Sequence, residues 1–299
     1  MPVNTKIIKR RIKSISNTRK ITKAMEMISA VKMRRAVANV VATRGYANLA
    51  WEMLTEIAKK TDLSLHPLLA NREVKNIAVI LITSNRGLAG GFSSRLLQAV
   101  HEFITTAKTK TKADIDIFLT GRQGKKIYHK FGHKVVAEFD KLDLTTKIDE
   151  ILPMAQLAIK EYVSGKYDSV VVAYTDFVSP LKQSPKIKQI LPLENFSDLT
   201  LHNTGAKTEV IKSAYGYKFE PGASAVLDVL LPRLVEMQVY QTILGSDASE
   251  HSSRMIAMRN ASDSAKDIIK ELQYSFNKAR QASITQEISE IVGGAAALE

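Results

Sequence analysis

From Pro221 to Leu298 the chain runs almost eighty residues with one internal proline, Pro232, within its first turns. Leu227, Leu230, Leu234, Met237, Gln241, Leu244, Ala248, His251, Met255, Met258, Ser262, Ala265, Ile269, Leu272, Phe276, Ala279 and Ser283 follow one another at alternating spacings of three and four. Thirteen of these seventeen are apolar, so the stretch predicts a helix with a sustained heptad seam of the kind that winds against another helix. At the standard rise it would be roughly 110 Å long, too long for the inside of one compact globule. It needs a partner helix, and the only comparable candidate is the other end of the same chain.

That other end, residues 3–60, also reads as one helix. Ile8, Ile12 and Ile15, then Ile21, Met25, Ile28, Val31, Ala38, Ala42, Leu49 and Met53 recur at helical spacing, ragged around Thr18 and Arg19. Breakers appear only at Thr61–Pro67. Paired antiparallel, the two helices bury stripes that each alone would leave wet. Charge singles out this segment too. Residues 1–44 hold twelve Lys or Arg against one acid, Glu26, and so carry +11 of the chain's net +13. Such a block predicts a polyanionic partner: nucleic acid, anionic lipid or an acidic protein surface. An Arg-rich, acid-poor start is also a property of transit peptides, but the helical pattern continues past Arg44 to about Lys60 with no cleavage-like break.

Between the rods the texture changes to short apolar runs alternating with helical ones. Ile77–Thr83, Ile115–Thr120, Val135–Phe139 and Tyr167–Tyr174 read as strands, and Ile187–Leu193 and Ala214–Phe219 as possible edge strands. Ser93–Lys108, Gln123–Phe131 and Ile148–Ser164 read as helices, and the polar segment Asn195–Lys212 as a mobile loop. This alternation implies right-handed crossovers and a mostly parallel sheet. The organisation is an N-terminal helix over 1–62, an inserted α/β domain over 70–215, and a C-terminal helix over 221–299.

Motifs for chemistry are weak. The loop Thr83–Phe92 follows a strand and precedes a helix, where α/β proteins bind phosphate, but Gly87, Gly90 and Gly91 match neither phosphate-loop fingerprint. Its glycines suit tight turning and close packing, as do those of Thr120–Lys126. There is no nucleophile elbow, zinc-protease motif or paired-carboxylate cluster, and Asp140, Asp143 and Asp149 suit turns and caps. Cysteine is absent, which excludes disulfides and thiolate metal sites, and the six histidines have no ligand spacing. No apolar run approaches the length of a membrane span. A basic helix could lie on DNA, but these charges sit on several faces and the seam is satisfied within the chain. The sequence therefore points away from an active site of its own and away from nucleic acid.

Four stretches carry a resemblance: IKSISNTRKITKAMEMISAVKMRR (Ile12–Arg35), TSNRGLAGGF (Thr83–Phe92), SEHSSRMIAMRNASDSAKDIIKEL (Ser249–Leu272) and ELQYSFNKARQASITQEISEIVGGAAAL (Glu271–Leu298). They closely resemble the gamma subunit of F-type ATP synthases over essentially the whole chain. The resemblance implies an α/β fold in which the terminal helices form a long antiparallel coiled-coil shaft with an inserted Rossmann-like domain at its foot. It implies a rotor that couples ion flow through the membrane c ring to ATP synthesis or hydrolysis at beta subunits. Expected partners are three alpha and three beta subunits, epsilon and the c ring, with membrane association only through the complex. No cofactor is expected on this chain, since ATP, ADP and Mg belong to beta and alpha.

Carried over residue by residue, the resemblance places Met25, with Lys20 and Lys23 nearby, where the shaft passes acidic beta loops. Arg280, Gln281 and Thr285 resemble ring contacts higher on the shaft, and Arg254 a residue of the same engagement. Two departures stand out. Ala89 occupies a place where the family often has cysteine, and the regulatory cysteine pair of chloroplast members is missing. Together with the lack of a transit-like break, this leads to the expectation of a bacterial protein, peripheral on the cytoplasmic side of the inner membrane.

Overall fold

The computed structural model describes residues 5–58, 66–125, 134–141, 147–193, 220 and 222–296. Helix α1 covers Thr5–Ala58 and is followed by strand β1 (Asn76–Ile82), helix α2 (Phe92–Lys110), strand β2 (Asp114–Thr120) and strand β3 (Val135–Phe139). A 3-10 turn (Ile148–Glu150) leads to helix α3 (Leu152–Val163), then strands β4 (Ser169–Phe177) and β5 (Gln183–Leu191), and helix α4 over Ala223–Ala296. The expected elements are present within a few residues of their anticipated limits. The exceptions are Ala214–Phe219, Asn195–Lys212 and most of Gln123–Phe131, which lie outside the described residues.

The chain divides into two compact units, Ala30–Ser253 and the pair Met1–Ser29 with Arg254–Glu299. In the first, five strands form one sheet in the order β3-β2-β1-β4-β5. The first four are parallel, as right-handed crossovers through helices require, and only β5 runs antiparallel to β4. Both faces are covered. This explains why β1 and β4 are apolar nearly throughout, with no inside-outside alternation. Ile77, Val79, Leu81, Ile117 and Leu119 point to one side and pack on Leu96, Leu97, Val100 and Ile104 of α2. Ala78, Ile80, Ile82, Val170 and Val172 point to the other side. There they meet Met154, Ala155 and Ala158 of α3, Leu54 and Ile57 of α1, and Leu231, Leu234, Val235 and Val239 of α4.

The second unit is helical. It groups the beginning of α1 with the end of α4, while the end of α1 and the beginning of α4 belong to the sheet-bearing unit, so the two helices are antiparallel. On α4 the expected seam holds: Met258, Ser262 and Ala265 are buried, and Ile269, Leu272, Phe276 and Ala279 are partly so. It ends there, because Ser283 and every residue over 280–294 are exposed.

On α1 the expected seam holds only in part, with Ile12, Ile15, Met25 and Met53 partly buried. Ile8 is buried, but Ile21, Ile28 and Leu49 are 57–61% exposed, as is Val31. The buried positions are instead Thr22, Ser29 and Ala50, each one residue further on, and Ala36, Val40, Leu54 and Ile57 complete the seam. Helices approach closely where side chains are small, so Ser and Ala can form a seam that a search for large apolar residues overlooks. Thr22 and Ser29 also satisfy their hydroxyls on the helix's own carbonyls, Arg19 O at 3.0 Å and Met25 O at 2.7 Å, which makes their burial inexpensive.

Candidate functional site

In an open parallel sheet, ligands bind beyond the carboxyl ends of the strands where the strand order reverses, here between β1 and β4. Beside it, the loops after β1 and β2 pack directly on one another. Thr83 follows β1, and its hydroxyl lies 3.0 Å from the carbonyls of Thr120 and Gly121 while accepting the Gly124 N–H at 3.0 Å. Gly121 has φ +94°, and a Cβ there would overlap the Thr83 carbonyl. Gly121 and Gly124 thus serve close packing and Gly90, at φ +58°, a turn, whereas Gly87 faces open space.

Against these loops sits the α4 stretch Gly245–Ser253, where every residue is small or polar and all but His251 are buried. Lys141, just after β3, reaches it. Its buried Nζ lies 2.6 Å from Asp247 Oδ1 and 2.9 Å from Glu250 Oε2. Burial alone would drive the Lys141 amine towards its neutral form, but the two carboxylates outweigh burial and raise its pKa above the ordinary range. The Lys141 carbonyl accepts a hydrogen bond from the Asn85 side chain, tying the same loop to the one after β1. From the other side, Ser252 Oγ donates to Pro180 O at 2.6 Å, and Ser253 Oγ donates to Gln183 Oε1 at 3.1 Å. Sequence reading missed Lys141, Asp247 and Glu250. The available signal was the run of small and polar residues GSDASEHSS inside an otherwise apolar seam.

At the opposite, amino-terminal end of the strands lies an open cleft of about 620 Å³ lined by Lys108, Asp114, Asp116, Lys134, Lys166 and Tyr167. Its central charges are already matched: Asp116 pairs with Lys134 at 2.9 Å and accepts the Tyr167 hydroxyl at 2.8 Å. Burial and that carboxylate push the Tyr167 phenol upward. No cluster of three or more His, Asp or Glu able to hold a metal occurs among the described residues.

The residues carried over from the resemblance sit on the two long helices. Lys20 and Lys23 are exposed on α1, with Lys23 Nζ 2.9 Å from Glu26 Oε2, and Met25 is partly buried beside them. Arg280, Gln281 and Thr285 are exposed on the last turns of α4. Arg254 differs: it is buried, 8% exposed, at the start of the α4 segment that pairs with the beginning of α1. No described helix is long and apolar enough to cross a membrane.

An antiparallel pair of long helices and a mostly parallel five-stranded α/β sheet within one chain define the fold class. The chain belongs to the ATP synthase gamma chain family. The family described as ATP synthase matches residues 4–298. The gamma chain of Chloroflexus aurantiacus is 43% identical, with 97% of both chains covered. That of Herpetosiphon aurantiacus is 44% identical, again over 97% of each, and that of Legionella pneumophila 39% over 98% and 99%. Among solved structures, the fold is similar to a chain of the Euglena gracilis mitochondrial ATP synthase OSCP/F1/c-ring in rotational state 3. The TM-score is 0.63 at 16% identity, covering 98% of this chain and 94% of that one. It is also similar to a chain of the Tetrahymena thermophila central stalk and c ring, with TM-score 0.57 at 22% identity and 81% and 99% covered.

Proposed function

We infer that this chain acts as the central rotor shaft of an F-type ATP synthase, turned by a membrane ring of c subunits within a ring of three alpha and three beta subunits. The observation that carries this reading is the near full-length kinship with bacterial gamma chains. A single asymmetric rod within three equivalent catalytic subunits favours a different conformation in each. This is a coupling free energy between shaft angle and nucleotide affinity, and it is reciprocal, so hydrolysis drives the rod in reverse. The chemistry, with ATP, ADP and Mg, belongs to beta and alpha.

The rod has to turn, so each contact with the ring is modest. Exposed Lys20 and Lys23 suit an acidic surface in a high-dielectric setting where single pairs contribute little. The exposed Ile21, Ile28 and Val31 add an apolar stripe of the sort that marks a partner surface. Met25, Arg254, Arg280, Gln281 and Thr285 complete the proposed ring contacts. Epsilon is the proposed companion at the foot, and the complex sits on the cytoplasmic face of a bacterial inner membrane.

The test is reconstitution. Purified chain alone hydrolyses no ATP, and its addition to alpha and beta subunits yields a cooperative ATPase. Equal hydrolysis by alpha and beta without this chain counts against the reading.

A further inference from the structure

The shaft helix α4 passes through the sheet-bearing unit, and whatever turns that unit must turn the helix with it. The large apolar side chains by which α4 packs in this unit end at Ile243, the last of its residues in the sheet core, and buried Leu244 beside it. Beyond it, Ser246, Ala248, Ser249, Ser252 and Ser253 are small and buried. Small side chains provide close approach but no knob to resist rotation about the helix axis. Directional grip comes instead from two loops belonging to opposite edges of the sheet. Lys141 follows edge strand β3 and holds Asp247 and Glu250, three residues apart on one face of the helix. The turn before edge strand β5 holds Ser252 and Ser253 through Pro180 and Gln183.

We propose that the Lys141–Asp247–Glu250 triad and the Pro180–Gln183 turn form a two-point clamp that fixes the angle of α4 against the sheet, so that torque passes into the shaft without slip. The clamp rests on the reading of the chain as a rotor. Hydrogen bonds and ion pairs have fixed geometry, and a small rotation of α4 stretches both grips at once. A buried charge that loses its partner is heavily penalised, which makes the triad stiff for a pairing of its size.

The experiment uses the whole complex in vesicles and reads ATP-driven ion uptake per ATP hydrolysed. The variant Lys141→Met with Asp247→Asn and Glu250→Gln removes all three charges together, leaving no orphaned ion. The clamp predicts ATPase within about twofold of the parent but ion uptake per ATP reduced several-fold, and unchanged uptake per ATP overturns it. Should that variant fail to assemble, Ser252→Ala with Gln183→Ala keeps the triad and the apolar core intact. It must then show the same loss of uptake per ATP in milder form, and normal coupling there overturns the clamp equally. A complex lacking this chain altogether serves as the control. If it still pumps like the parent, the rotor reading itself falls; if it does not pump and both variants do, only the clamp is lost.

Discussion

Single side chains show where the fold has little tolerance. Gly121 combines φ +94° with backbone contact against Thr83, so Gly121→Ala strains the loop and destabilises the chain by about 1–3 kcal/mol, read from the urea midpoint. A smaller loss would mean that Thr83 gives way. His66 offers a pH-dependent probe. Burial lowers its pKa from the ordinary value of 6.5, against the opposing pull of Asp228 at 3.4 Å, and the neutral ring accepts the Leu68 N–H at Nδ1. A base held below its unfolded pKa contributes stability that is complete above that value and lost as pH falls through the folded one. The denaturation midpoint should therefore fall on mild acidification, and His66→Gln should flatten that part of the profile. Lys141 acts in the opposite direction. Its raised pKa keeps its contribution intact through neutral pH and up to the ordinary lysine range, with loss only at still more alkaline pH.

Among the elements, α1 separates two kinds of apolar residue that look alike in sequence. Leu54 is 1% exposed, and Leu54→Ala should cost about 2–5 kcal/mol. Ile28 is 57% exposed, and Ile28→Ala should change the stability of the purified chain by no more than about 0.5 kcal/mol. One residue along, Ser29→Leu forces bulk into a closely packed seam and should destabilise by about 1–3 kcal/mol. The reverse order of effects at Ile28 and Ser29, measured by thermal melting, would restore the large-residue seam. The strands were far more legible than this seam. A parallel sheet covered on both faces needs continuous apolar runs, and β1 and β4 carry them unbroken. Edge strand β3 was found as a short apolar run and β5 only in part, because Pro185, Lys186 and Lys188 interrupt its apolar signal.

For the whole molecule, the exposed end of α4 is where stability and function come apart. Arg280 and Gln281 touch solvent, so Arg280→Ala with Gln281→Ala should weaken ATPase coupling in the assembled complex while leaving the melting temperature of the purified chain unchanged. A lower melting temperature would assign them to the chain's own packing. The antiparallel helix pair, the inserted α/β domain and the family were all legible before any coordinates, since heptad spacing and strand-helix alternation are local periodic signals that survive in one dimension. What the chain alone could not convey is which neighbours meet. The choice of Ser29 over Ile28 as the buried partner depends on how near a second helix comes. The joining of Lys141 to Asp247 and Glu250, over a hundred residues away, depends on a sheet bringing one loop against one helix face. Periodicity encodes which side of an element faces inward only to within a residue, and the distance to its neighbour, set by packing in three dimensions, decides the rest.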